Sequence, residues 1–220
     1  LESDSKYTMD VAPSVRAYFI GINCQHPDLT DVRVRQAMNY AVDKDAIVKN
    51  ALQGAAQVST SPMPDVIRGY QKQTPYTYDP GKAASLLEQA GWTRSGDGLL
   101  QKDGRPLTLE IQATDGNFLG DRVTCEAVQE YLRKAGIDVG LKVVDYNSYF
   151  SGLQDPASIS KVTLNSFAFG STIVEPSHAL GGFEGSWKNI VSSVSRYRSS
   201  EFDAAYQKML TAVDDEAAQA

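Results

Sequence analysis

VRVRQAMNYAVDKDAIV, residues 32–48, holds two helix starts in one short stretch. Asp31 stands just before it as an N-cap. Val34, Ala37, Met38 and Ala41 then recur at the three- and four-residue spacing of one helix face. Asp43 restarts the pattern, which runs through Ile47, Val48 and Leu52 until Gly54 supplies a C-terminal stop. Arg33 and Arg35 flank the apolar Val34, so they read as solvated or ion-paired charges at the helix edge.

Outward from this stretch, helical and extended patterns alternate. RAYFIGIN, residues 16–23, is rich in aromatic and β-branched side chains and predicts a strand. Residues 55–77 carry Pro62, Pro64, Gly69 and Pro75 without a period, which predicts a long surface-hugging loop. Asp79-Pro80 opens a helix with Ala83, Leu86, Leu87 and Ala90 as its buried stripe, closed by Gly91, and Trp92 reads as a core plug. Asp103-Gly104 between two apolar runs predicts a hairpin, because glycine accepts the positive φ of the turn. A helix follows over 118–135, with Val123, Ala127, Val128, Tyr131 and Leu132 on one face and Gly136 after it. Residues 137–144 and 162–169 predict strands, Glu175-Pro176 starts a short helix, and Glu201 onward forms the last one. In that last helix Phe202, Ala205, Met209 and Val213 share a face. Strands alternating with helices define an α/β layer domain with a mixed sheet.

Composition narrows the function. With 27 acidic and 21 basic residues the net charge is −6, and the two signs are interleaved. That leaves no basic stripe for a nucleic-acid backbone. No apolar run reaches the length of a membrane span. Cys24 and Cys125 are compatible with a disulfide, but their spacing carries no motif, and two unpaired thiols are the favoured reading. Cys24-Gln25-His26, with His178 as the other imidazole, falls short of the ligand count of a structural metal site. The sequence has no GxSxG, HExxH or CxxC motif and no glycine-rich phosphate loop. Asp43, Asp45, Asp79 and Asp203 each have a local role as caps or surface charges. The sequence therefore predicts no catalytic residue, no metal and no cofactor. It begins at Leu1, and its last helical pattern has no cap after it, so a fragment of a longer chain is expected.

The segment at 32–48 resembles the signature of the peptide/nickel/opine class of extracellular solute-binding proteins, the substrate-binding components of ABC transporters. Four further blocks follow that family's order: YDPGKAASLLEQAGW at 78–92, DGLLQKDGRPLTLEI at 97–111, EAVQEYLRKAGIDVGLKVVD at 126–145 and RYRSSEFDAAYQKM at 196–209. FIGIN at 19–23 matches the strand that precedes the signature. The resemblance implies a periplasmic-binding-protein-like α/β lobe with a mixed sheet flanked by helices. Residues 1–23 would enter the hinge, 24–200 would form the C-terminal ligand-binding lobe, and 201–220 would begin a helix leading back to the other lobe. It implies an extracytoplasmic monomer, periplasmic or lipid-anchored, that binds a small-molecule or peptide ligand, meets ABC permease subunits and contacts no nucleic acid. A regulatory protein using the same lobe as a solute sensor is the alternative.

The resemblance also implies a site. Peptide-binding members carry an Asp three residues before an acid–proline pair, where it holds the peptide α-ammonium. Here the pair is Glu175-Pro176 and the position is Thr172, which is neutral and cannot balance a desolvated ammonium. Phe169 stands where relatives often carry Trp, and Tyr149 where another pocket aromatic is found. The implied ligand loop is Phe169, Gly170, Ser171 and Thr172, with Tyr149 and Asn23 nearby. Arg196, Tyr197 and Asn189 are weaker candidates.

Overall fold

The structure is a computed structural model and describes residues 6, 12, 14–170, 175–186 and 194–212. Its main sheet has the order β1-β7-β5-β6, formed by β1 (Arg16–Ile22), β5 (Thr108–Ala113), β6 (Asp138–Val143) and β7 (Leu164–Gly170). β5 runs parallel to both β6 and β7, and β1 is antiparallel to β7. Parallel neighbours need a crossover, and α4 (Asp121–Lys134) supplies it between β5 and β6.

A smaller sheet, β2-β3-β4, joins β2 (Thr93–Arg94), β3 (Leu100–Lys102) and β4 (Arg105–Pro106). Its tight turn is the expected one, with Asp103 at φ 52° and Gly104 at φ 73°. Two positive φ values match the twist of the flanking strands, and Asp and Gly are among the residues that tolerate them.

The signature segment folds as α1 (Val32–Ala41), capped by Asp31 onto the Arg33 N–H, followed by α2 (Lys44–Ala46), capped by Asp43 onto the Ala46 N–H. A short wide turn over Ile47–Ala51 completes it. Val34 and Ala37 are fully buried, and they pack in one core with Leu87 of α3 (Pro80–Gln89), Ile111, Leu132, Val139 and Leu164. Trp92 belongs to the same core. Arg33 pairs with Asp31 at 2.6 Å, while Arg35 donates to the carbonyls of Leu29 and Thr30.

A second core lies on the other face of β7. It gathers Met63 and Ile67 from the proline-rich loop, Tyr149 and Leu153, Phe167 and Val194. Leu164 and Phe167 are an odd number of residues apart on one strand, so they serve opposite faces. The proline-rich loop is thus anchored by two apolar side chains.

The structure moves one predicted helix face and adds two short helices. The buried stripe of α4 runs through Asp121, Cys125 and Leu132, with Val128 beside it, whereas Val123 is 42% exposed. Val123 is two residues from Cys125, about 200° round the helix, so both cannot face the sheet. A helix not read from the sequence, α5 (Tyr146–Gln154), starts at Asp145, whose carboxylate accepts from the Ser148 N–H. It is followed by α6 (Pro156–Ile159), opened by Asp155-Pro156. The later helices are α7 (Pro176–Leu180) and α8 (Ser200–Leu210), and Val213 lies outside the described residues. Cys24 and Cys125 are both unpaired thiols.

Candidate functional site at the carboxyl edge of the sheet

In open α/β sheets, solutes bind outside the carboxyl ends of the parallel strands, where side chains converge and backbone groups are free. Here that edge collects the loop after β5, the Val144–Tyr146 turn after β6 and the end of β7. The antiparallel β1 adds its beginning, with Arg16 level with Gly170 and Ala17 level with Phe169.

From the loop at this edge a chain of ring contacts runs across β7 into the second core. Tyr18 lies 6.0 Å from Phe118, Phe118 6.3 Å from Phe167, Phe167 6.3 Å from Phe19, and Phe19 6.3 Å from Phe183. Phe167 is buried and the other four rings are half-buried. Such tilted contacts are favourable ring geometries. Phe118 and Tyr18, the latter level with Ala168, are the rings of this contact series nearest the edge, where aromatic side chains with a few polar groups are the usual character of a small-solute site.

The loop carrying Phe118 is held by a buried carboxylate. Asp121 is 2% exposed. It accepts hydrogen bonds from the Thr114 hydroxyl and the backbone N–H groups of Gly116 and Asn117, each at 3.0 Å. The Phe118 N–H at 3.3 Å and the Arg122 N–H at 2.9 Å complete the set. Burial pushes the Asp121 carboxyl up, but these donors outweigh it and hold the group below the usual carboxylate range. Gly120, at φ 64°, lets the chain turn from this loop into α4.

Tyr18 ties β1 to the same structure. Its hydroxyl donates to the Asp121 carbonyl at 3.1 Å and lies 3.3 Å from the Cys125 sulfur. Burial raises the pKa of both groups, so both stay neutral.

The residues expected at the site do not all gather here. Phe169 and Gly170 end β7 at this edge, and Ser171 and Thr172 lie outside the described residues. Tyr149 stands behind β7, 1% exposed, and its hydroxyl donates to the Ser166 carbonyl. It braces the strand from the core side. Asn23 is at the opposite end of the sheet: β1 pairs Arg16 with Gly170 but Ile22 with Leu164. Six residues of strand separate the two ends, roughly 20 Å. The Asn23 amide donates to the Ser160 and Val162 carbonyls and accepts from the Gln25 N–H. Placing Asn23 near the ligand loop is therefore a correction, because the antiparallel pairing sends the end of β1 away from the end of β7.

Arg196 lies toward Asn23, its carbonyl accepting from Gln25, and Asn189 is outside the described residues. Tyr197 packs edge-on against Phe202. Glu175, at the start of α7, pairs with Arg68 at 3.5 Å. Phe118 and Tyr18 were not singled out from the sequence. The available signal was an aromatic soon after a strand end, with Asp at the next helix start.

Among the described residues, no group of three or more His, Cys, Asp or Glu side chains is placed to hold a metal ion. No described helix is long and apolar enough to cross a membrane.

The mixed sheet with helices and an open carboxyl edge defines a periplasmic-binding-protein fold. Residues 1–188 match the family model of bacterial extracellular solute-binding proteins, family 5 Middle, and the chain belongs to that family. It is 29% identical to the nickel-binding periplasmic protein of Escherichia coli K12 over 228 residues, 96% of this chain and 43% of that protein. It is 38% identical to the glutathione-binding protein GsiB of Pectobacterium atrosepticum over 145 residues, 66% of this chain and 26% of that protein. Among solved structures, NikZ from Campylobacter jejuni in complex with Ni(L-His) superposes with a TM-score of 0.84 at 28% identity, covering 99% of this chain and 43% of that one. The chain thus spans less than half the length of these relatives.

Proposed function

We propose that this chain is the ligand-binding lobe of an extracytoplasmic solute receptor that delivers a peptide-like or other small polar organic solute to an ABC importer. The observation that carries the reading is the carboxyl edge of the sheet, where the loop after β5, fixed by Asp121, sets the half-buried Phe118 against Tyr18. Residues 1–23 enter the hinge, residues 24–200 form the lobe, and the helix from 201 leads back toward the rest of the protein. Closure of a second lobe over this edge would bury the solute and create the form that permease subunits recognise. Phe169, Gly170, Ser171 and Thr172 form the ligand loop, with Tyr149 supporting β7 from behind.

Thr172 bears on the choice of ligand. A hydroxyl can donate to or accept from a solute but cannot neutralise a buried ammonium. A solute without a free α-amino group at that position fits better, such as a blocked peptide or a saccharide. The relatives' names, which cover nickel and glutathione, support a small hydrophilic cargo without selecting one.

The receptor binds without turnover, in the periplasm or at the outer face of the membrane as a lipid-anchored protein. Thermal-shift titration of the full-length protein against blocked and free peptides, glutathione, oligosaccharides and nickel–L-histidine tests this reading. One probe at 100 times its Kd is expected to stabilise the protein by about 2.7 kcal/mol and to be recovered unchanged. No stabilisation by any of them, or chemical conversion of the bound one, overturns it.

A further inference from the structure

We propose that Phe118 is a solute-contacting, specificity-determining side chain of this site and that Asp121 is its positioning residue. The inference rests on the receptor reading and goes beyond the ligand loop at the end of β7.

A carboxylate at the start of a helix ordinarily caps free N–H groups inside the first turn. Asp121 takes one such donor, the Arg122 N–H, while its other partners come from the loop before it: Thr114, Gly116, Asn117 and Phe118. The buried charge therefore fixes the path of the loop. Removing a carboxylate from water is costly unless its lone pairs are filled, and a plain surface connection has no need of such a device.

What the device holds is Phe118. Its backbone N–H is on the carboxylate, and its ring touches Tyr18 on one face of β7 and Phe167 on the other. β5 ends at Ala113 while β7 runs on to Gly170, so Phe118 fills the place beside β7 that β5 vacates. It remains half-buried there, at the edge where solutes meet such sheets. A rigidly held, half-exposed ring binds a flat or apolar part of a solute with little loss of entropy on binding.

The test uses the full-length protein and four probes: glutathione, an N-acetylated tripeptide amide, maltohexaose and nickel–L-histidine. Affinities are measured for wild type, Phe118→Leu, Phe118→Tyr, Thr114→Val, Asp121→Asn and the Phe118→Leu/Asp121→Asn double variant. Phe118→Leu keeps apolar bulk but loses the ring. It is expected to weaken the probe that wild type binds by about tenfold and to leave the probe-free melting temperature nearly unchanged. Phe118→Tyr is expected to restore binding. Asp121→Asn should also weaken binding, and the double variant should be no weaker than Phe118→Leu alone, because Asp121 acts through Phe118. If Asp121→Asn does not fold, Thr114→Val in the same cycle takes its place. Wild-type affinity in Phe118→Leu, or additive losses in the double variant, overturns the inference while leaving the receptor reading intact. Failure of wild type to bind any probe overturns both.

Discussion

Arg105 grips Asp28 with two hydrogen bonds, Nη1 to Oδ2 at 2.9 Å and Nη2 to Oδ1 at 2.6 Å. The pair ties the β3–β4 hairpin to the turn before α1, two segments far apart in sequence, and the guanidinium also lies 5.9 Å over the Trp92 ring. This two-pronged geometry is the strong form of an ion pair.

The hydrogen bond from Arg105 holds the Asp28 carboxyl below the usual range, despite its burial. A folded pKa below the unfolded value means that the contribution is complete above about pH 4 and is lost as pH falls through the folded value. Asp121 adds a loss of the same sign. The melting temperature of the full-length protein is therefore expected to fall steeply on acidification below about pH 4. The difference between wild type and Asp28→Asn should be largest near neutrality and shrink in acid. A difference independent of pH would contradict the assignment.

Gly21 faces Val194 across the second core. A Cβ placed on Gly21 would stand 2.4 Å from the Val194 Cγ1 and 3.3 Å from its backbone carbonyl. A methyl group there must displace a buried side chain beside fixed backbone. Gly21→Ala is expected to destabilise by about 1–3 kcal/mol, read from the midpoint of urea unfolding. Gly21→Ala combined with Val194→Ala should recover part of the loss.

Asn23 is predicted to be structural. Asn23→Ala removes the donors to the Ser160 and Val162 carbonyls and the acceptor for the Gln25 N–H. Leaving such groups unpaired costs about 1–3 kcal/mol. Urea unfolding should show that loss, while affinity for a stabilising probe at temperatures well below melting stays at the wild-type value. A selective loss of affinity with stability intact would return Asn23 to the ligand site.

The two thiols should differ in accessibility. Cys125 is fully buried, whereas Cys24 is only partly so, and burial raises the pKa of each. Iodoacetamide labelling followed by peptide mapping is expected to modify Cys24 slowly in the native protein and Cys125 only after denaturation. Equal labelling of both under native conditions would contradict the packing around α4.

The sequence determined the parts whose causes are local. Asp31, Asp43 and Asp79 could be read as helix starts because a cap acts within three residues, and Asp103-Gly104 as a turn because φ is a property of single residues. The α/β class and the family followed from the order of such blocks. Asp155-Pro156 carried the same cap-and-proline signal as Asp79-Pro80, but the short, polar segment around it has little apolar period to reinforce it.

The tertiary structure decided the rest, because those facts depend on which strands become neighbours. The antiparallel pairing of β1 with β7 sends Asn23 to the far end of the sheet and brings Tyr18 level with Ala168. The phase of α4 is set by Asp121 turning back onto its loop, which buries Cys125 and leaves Val123 outside. Phe118 acquires its neighbours only because β5 stops short of the end of β7. No local propensity encodes a contact between residues one hundred positions apart, so the carboxyl edge, with Phe118 set against Tyr18, exists only once the sheet has formed.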